Sequence, residues 1–275
     1  MKIAKIINNN IVCAYDENGG ELVLMGRGLG YGVKSGAAVD ESKIEKVFKP
    51  DKEGDADRWT RLLSEIPEEH ISTVALIIKE AAPMIDKQLG KSIYFSLSDH
   101  VSFAIERHLN GMDLTNPLEW DVKHFYKQEY AAGLKALEII HKQLMIDLPK
   151  SEAASIALHF VNAELGMEMN ETVDITKLMQ TANVIVKYEF KRDLDEDSID
   201  YERFITHLKF FAQRVLQGKT HKDADTELYD MIKECYPKHF ACAQKIARYV
   251  EKSMGFEVSD DEKVFLAVHI RRITG

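Results

Sequence analysis

The first fifty residues alternate short apolar runs with turn chemistry. IAKII, IVCAY and ELVLM have strand length and composition, and the NNN and DENGG between them are turn residues. The pattern predicts a small antiparallel sheet, followed by a glycine-rich run, MGRGLGYG, and by ESKIEKVFKP, which closes the segment at Pro50. The charged stretch DKEGDADR (51–58) reads as a linker. Beyond it the period changes. TVALIIKEAAPMIDKQLG, EYAAGLKALEIIHKQL, SEAASIALHFVNAEL, DITKLMQTANVIVKYEF, FITHLKFFAQRVLQG and ACAQKIARYVEKSMG carry apolar residues at three and four spacing, with Gly or Pro near many ends. From about residue 60 the chain should be almost wholly helical.

A repeat divides the helical part. SDHVSFAIER (98–107) and ITHLKFFAQR (205–214) share a histidine, a phenylalanine three positions on and an arginine seven positions on: His100, Phe103 and Arg107, then His207, Phe210 and Arg214. ASIALHF and VFLAVHI match around His159 and His269, each with a glutamate seven positions upstream, Glu152 and Glu262. The pairs come in the same order, so duplication explains them. The expected architecture is mainly α: a small N-terminal antiparallel β domain (1–56) followed by two homologous all-helical bundle domains (57–170 and 171–275), the break falling near MEMNET.

Composition narrows the classes. A 275-residue chain with 45% hydrophobic residues accommodates two or three domains. No apolar run approaches the ~18 residues of a membrane span, and MKIAKIINNN has no signal-peptide pattern, so a cytoplasmic protein without membrane insertion is expected. Three cysteines without CxxC indicate neither a disulfide framework nor a thiolate metal site. The net charge of −9 argues against a chain that coats nucleic acid over its whole surface. Residues 1–50 carry seven basic and six acidic residues, a balance of +1 that leaves −10 for the remainder, so any nucleic-acid contact should lie in the first fifth. A fifty-residue β unit has little core, and dimerisation is the natural remedy.

The four matched histidines could be ordinary packed side chains, and any one of them alone would read so. Their recurrence in equivalent surroundings, while the six other histidines lack repeat partners, points to chemistry that needs imidazole. No HxxxH or HExxH places two metal ligands on one helix face, although a set assembled across helices stays open. No GxSxG supplies a nucleophile for a histidine base. The imidazole itself can attack a phosphoryl donor and hold the group as a phosphoramidate, adding up to two negative charges. Arg107 and Arg214 are candidate counter-charges.

MKIAKIINNNIV, ELVLMGRGLGY, KIEKVF and the four matched histidines resemble the BglG/SacY/LicT family of transcriptional antiterminators, over essentially the whole chain and most closely in the LicT branch. The resemblance implies a dimeric N-terminal domain that binds a leader-mRNA hairpin and prevents terminator formation in a sugar-utilisation operon, β-glucosides being the branch-level expectation. It implies no enzymatic turnover, no cofactor and no metal. RNA contacts carry over to Lys5, Asn8, Asn10, Gly26, Arg27 and Tyr31, residue types suited to base edges, phosphate and stacking. The histidines carry over as phosphorylation sites: His100 and His159 for a sugar-specific enzyme II of the phosphotransferase system, inactivating, and His207 and His269 for HPr, activating. A histidine phosphocarrier would not need the N-terminal strands, and a DNA-binding regulator would usually show a helix-turn-helix, which is not evident. No DNA partner is therefore expected.

Overall fold

The computed structural model describes residues 1–50, 55–219 and 226–275. Four strands, β1 (Lys2–Asn8), β2 (Ile11–Tyr15), β3 (Glu21–Met25) and β4 (Lys46–Phe48), form one antiparallel sheet in chain order. The first three are the runs read from the sequence. The fourth, KVF, is too short to show a period, and only its pairing with β3 (Val23 opposite Phe48) reveals it. In the DENGG turn, the Asp16 side chain accepts from the backbone N–H of Asn18 and Gly20 and reverses the chain between β2 and β3.

Both faces of the sheet are apolar, which is why its strands read as nearly continuous hydrophobic runs. On one face Ile3, Val12, Ala14, Leu22 and Leu24 pack under Leu29 and Val39 from the long β3–β4 connection. On the other, Ile11, Val23, Met25 and Phe48 join a core that includes Leu63, Tyr94 and Phe95. One face of the small sheet therefore packs against helices of the same chain, so dimerisation is not its sole source of core.

Eleven α-helices follow among the described residues: α1 (Asp55–Glu65), α2 (Glu68–Ala81), α3 (Ile93–Leu109), α4 (Glu119–Phe125), α5 (Lys127–Leu144), α6 (Glu152–Leu165), α7 (Met169–Phe190), α8 (Ile199–Leu216), α9 (Thr226–Cys235), α10 (Pro237–Met254) and α11 (Asp260–Thr274). Of the expected linker 51–58, residues 51–54 lie outside the described residues and 55–58 already belong to α1. No described helix is long and apolar enough to cross a membrane.

The chain forms two compact units, residues 1–119 with 127–166, and residues 120–126 with 167–275. In the first, α2 packs on α3 and α5, and α6 on α3 and α5. In the second, α7 packs on α8 and α10, and α11 on α8 and α10. The two sets of four helices share one contact pattern, the structural form of the sequence repeat. α8 and α11 begin at N-caps, where the Ser198 and Ser259 hydroxyls accept from the N–H of Tyr201 and Glu262. α4 follows α3 in the chain but packs within the second unit, where Asp121 accepts from Gln180 at 2.7 Å and the Tyr126 hydroxyl lies 3.1 Å from that of Thr176.

Phe48 is the wedge between sheet and helices in the first unit, edge-on to Tyr94 and Phe95 at 5.2 and 4.9 Å, with Trp59 stacked on Phe95 at 4.4 Å. Phe48→Ala should lower the stability of the first unit by about 3–5 kcal/mol, the usual range for a buried aromatic truncated to Ala. Urea unfolding followed by tryptophan fluorescence measures it.

Candidate functional site

Each helical unit brings its two repeat histidines face to face across a helix pair. His100 stands in the middle of α3, since Ile93, Tyr94, Phe95 and Leu97 carry the buried stripe upstream of SDH. Its ring lies 4.7 Å from that of His159 on α6. In the second unit His207 of α8 lies 4.0 Å from His269 of α11, at an interplanar angle of 34°. The fold thus converts a spacing of about sixty residues into van der Waals contact.

The upstream glutamates complete both sites. Glu152 and Glu262 occupy the first turns of α6 and α11, where the helix dipole favours negative charge, and both are almost fully buried, at 4% and 2% exposure. Glu152 accepts from Arg107 Nη2 at 2.8 Å and lies 3.0 Å from His100 Nε2. Glu262 accepts from both Nε and Nη2 of Arg214, at 2.7 and 2.9 Å. Arg107 and Arg214, the candidate counter-charges, are engaged with these carboxylates. Asp99, adjacent to His100 in sequence, is exposed, and the acid that reaches the imidazole is Glu152 from another helix. The signal for it was the matched glutamate seven positions before each second histidine.

The two sites differ at one further position. Three residues after the glutamate the first unit has Ser155, bonded to the Asn116 side chain, and the second has Phe265. Phe265 meets His207 edge-on at 5.2 Å and His269 at 4.7 Å, under the Arg214 guanidinium. In the first unit Arg107 instead lies over the half-exposed Phe103 ring at 4.7 Å.

Electrostatics keep most of these rings neutral. Burial pushes His159 well below its ordinary pKa, with the neighbouring His100 adding to the shift. Burial, then His207 and Arg272, bring His269 down to about 4. Burial, then Arg214, Arg272 and Arg203, lower His207. Burial alone would raise the Glu152 carboxyl, but His100 and Arg107 outweigh it and hold the group below its usual value. At neutral pH His159, His207 and His269 therefore present lone pairs. Among the described residues no three His, Cys, Asp or Glu side chains converge as a metal-ligand set.

The N-terminal candidates also gather. The Asn8 side chain accepts from the Asn10 N–H at 2.9 Å, and the Asn10 side-chain oxygen accepts from the Gly28 N–H at 2.7 Å. Backbone bonds Gly26 N–H to Asn10 and Gly30 N–H to Asn9 lock the glycine run against the β1–β2 turn. Two of the four glycines are required by space: a Cβ on Gly26 would lie 1.8 Å from the Lys43 carbonyl oxygen and one on Gly30 2.2 Å from that of Asn8, while Gly28 and Gly32 adopt positive φ. The run is a fixed platform rather than a slack connection. It presents Arg27 and Tyr31, the latter 74% exposed, while Lys5 is exposed on β1 opposite Cys13. Two contacts lay outside the sequence reading. Lys43 Nζ lies 3.5 Å from the Gly28 carbonyl, and Glu68 at the start of α2 accepts from the side-chain amides of Asn9 and Asn10, at 3.1 and 2.6 Å.

These arrangements define a class. The PRD domain model matches residues 62–163 and again 182–273, and the CAT RNA binding domain model matches residues 1–57. The chain belongs to the family of transcription antiterminators that join these domains, regulators rather than enzymes. It is 45% identical over 273 residues to the transcription antiterminator LicT of Bacillus subtilis (strain 168), covering 99% of each chain. It is 44% identical over 273 residues to the beta-glucoside operon antiterminator of Dickeya chrysanthemi, covering 99% of this chain and 96% of that one. The crystal structure of GlcT CAT-PRDI matches with a TM-score of 0.53 and 28% identity, over 59% of this chain and 97% of that chain.

The depressed histidines carry a sign. A buried imidazole whose folded pKa lies below that of the unfolded chain contributes fully above about pH 6.5, and its contribution is lost as pH falls toward the folded value. For His269 the window runs from about 6.5 down to about 4. His269→Gln should flatten that acid limb by up to about 1.4 kcal/mol per pH unit relative to the parent, measured by urea unfolding at stepped pH.

Proposed function

We propose that the chain binds, as a homodimer, an RNA hairpin in the leader of a sugar-utilisation operon and keeps the overlapping terminator from forming. The name of the Dickeya relative makes β-glucosides the expected sugars. The contact surface comprises Lys5, Asn8, Asn10, Gly26, Arg27 and Tyr31, where a rigid glycine backbone allows close approach, amides read base edges and the exposed tyrosine stacks on an unpaired base. The protein acts in the cytoplasm, where the transcript is made.

Control runs through phosphorylation of His100 and His159 by a sugar-specific enzyme II and of His207 and His269 by HPr. The observation that carries this reading is the recurrence, in both bundles, of two facing imidazoles beside a buried glutamate–arginine pair. A doubly charged group added there meets a carboxylate at close range, so each site is poised to rearrange. The first pair inactivates and the second activates, as the family plan implies.

Two measurements test the reading. Tyr31→Ala and Asn10→Ala should each weaken binding of a synthetic hairpin, copied from the terminator-overlapping leader of the adjacent sugar operon, by roughly fivefold or more, given ~1–3 kcal/mol per stacked base or bidentate contact. Incubation with phosphoenolpyruvate, enzyme I, HPr and the enzyme II should give acid-labile label. Label unchanged after all four histidines become Ala would overturn the histidine assignment.

A further inference from the structure

We propose that Glu152 is a positioning residue that directs phosphoryl transfer to Nδ1 of His100, whereas His159 accepts on Nε2. The inference rests on the phospho-acceptor reading above and adds which nitrogen reacts. Glu152 is buried and shares its carboxylate between Arg107 and His100 Nε2. A carboxylate held ionised beside a guanidinium only accepts hydrogen bonds. His100 Nε2 must therefore carry the proton in that bond, and in the neutral ring the lone pair sits on Nδ1.

Attack then forms an Nδ1–P bond and breaks the bond between phosphorus and the ring nitrogen or thiolate of a phosphorylated carrier protein. That bond's electron pair leaves with the carrier atom. The Nε2 proton stays in place, and the positive charge that develops on the ring faces the Glu152 carboxylate, the role an orienting acid plays for a histidine base. At His159 the geometry is reversed. Its Nδ1 is buried without a hydrogen-bond partner, and three charged phosphoryl oxygens placed there would lose their solvation, so the group adds at Nε2. In the second bundle Arg214 takes both oxygens of Glu262, and among the described residues no carboxylate is hydrogen-bonded to His207 to fix its tautomer.

The test needs full-length chains that keep one of the four histidines, the other three being Ala. Long-range 1H–15N correlation spectra of the unphosphorylated His100 chain should show the Nε2–H tautomer, and Glu152→Gln should shift the tautomer balance. After transfer from phosphorylated carriers or from phosphoramidate, 31P and 15N couplings should report Nδ1-phosphohistidine at His100 and Nε2-phosphohistidine at His159. Glu152→Gln should slow Nδ1 transfer roughly tenfold or more and move product toward Nε2, while Glu262→Gln leaves the His100 product unchanged. Nε2 product at His100 with Glu152 intact, or the Nδ1–H tautomer, overturns the proposal. Absence of phosphohistidine from every single-histidine chain overturns the acceptor reading itself.

An independent observation carries a second inference: Glu68 is an intramolecular competitor for RNA. Its two carboxylate oxygens accept from the amides of Asn9 and Asn10, while the Asn10 oxygen is held by Gly28. One of the two N–H donors of the Asn10 amide is thus taken by an anion of the regulatory helices, and a base contact that uses that donor requires the bond to break. α2 also carries His70, whose Nδ1 lies 3.1 Å from the Ser102 hydroxyl, two residues beyond His100. A shift of α3 on modification therefore has a short path to Glu68. On the assumption that Asn10 contacts RNA, Glu68→Ala in the full chain should tighten binding of the same hairpin about fivefold, a charge-assisted contact being among the stronger hydrogen bonds. Glu68→Gln should tighten it less, and Asn10→Ala should abolish the gain. Unchanged or weaker binding in Glu68→Ala with Asn10 intact overturns the competitor role. Unchanged binding in Asn10→Ala overturns the RNA-contact assignment instead.

Discussion

Two buried carboxylates organise the helical part of the molecule. Glu152 and Glu262 begin the last helix of their bundles, and each draws in an arginine from the helix that carries the first repeat histidine. A charge this deep is tolerable only when paired, so the helix pair keeps the register at which arginine meets glutamate. That register brings each pair of imidazoles into contact. A one-residue rotation of α3 or α8 would separate the ion pair and the histidines together.

The repeat was legible because duplication preserves order: two histidines, one phenylalanine, one arginine and one glutamate stand in the same order twice. The contact was less so. A histidine beside Asp99 invites pairing of neighbours, but successive helix positions point about 100° apart, and the acid that reaches His100 lies 52 positions along the chain. The exchange of Ser155 for Phe265 was visible as a mismatch between the copies, yet its meaning depends on what lies across the helix interface. Local pattern recorded which residues share a face and left open what each face meets.

The N-terminal sheet shows the same division. Its three longer strands announce themselves through apolar runs and turn residues, whereas β4 exists because β3 offers it an edge. Those runs lack clean alternation because Val12 and Leu24 face the glycine-rich side while Ile11 and Val23 face the helices. The glycine-rich run shows no period of its own, and only the carbonyls of Lys43 and Asn8 pressed against Gly26 and Gly30 show that absence of a side chain is what builds the platform.

The placement of α4 bears on how the molecule can be divided. Residues 120–126 lie between two stretches of the first unit but find their hydrogen-bond partners, Thr176 and Gln180, on α7. A truncation after Gly166 would remove those partners and leave Asp121 and the Tyr126 hydroxyl, both inside a core in the full chain, to be satisfied by water. No single cut of the backbone follows the boundary between the two units, so any truncation that keeps residues 120–126 without α7 exposes polar groups that the full chain buries.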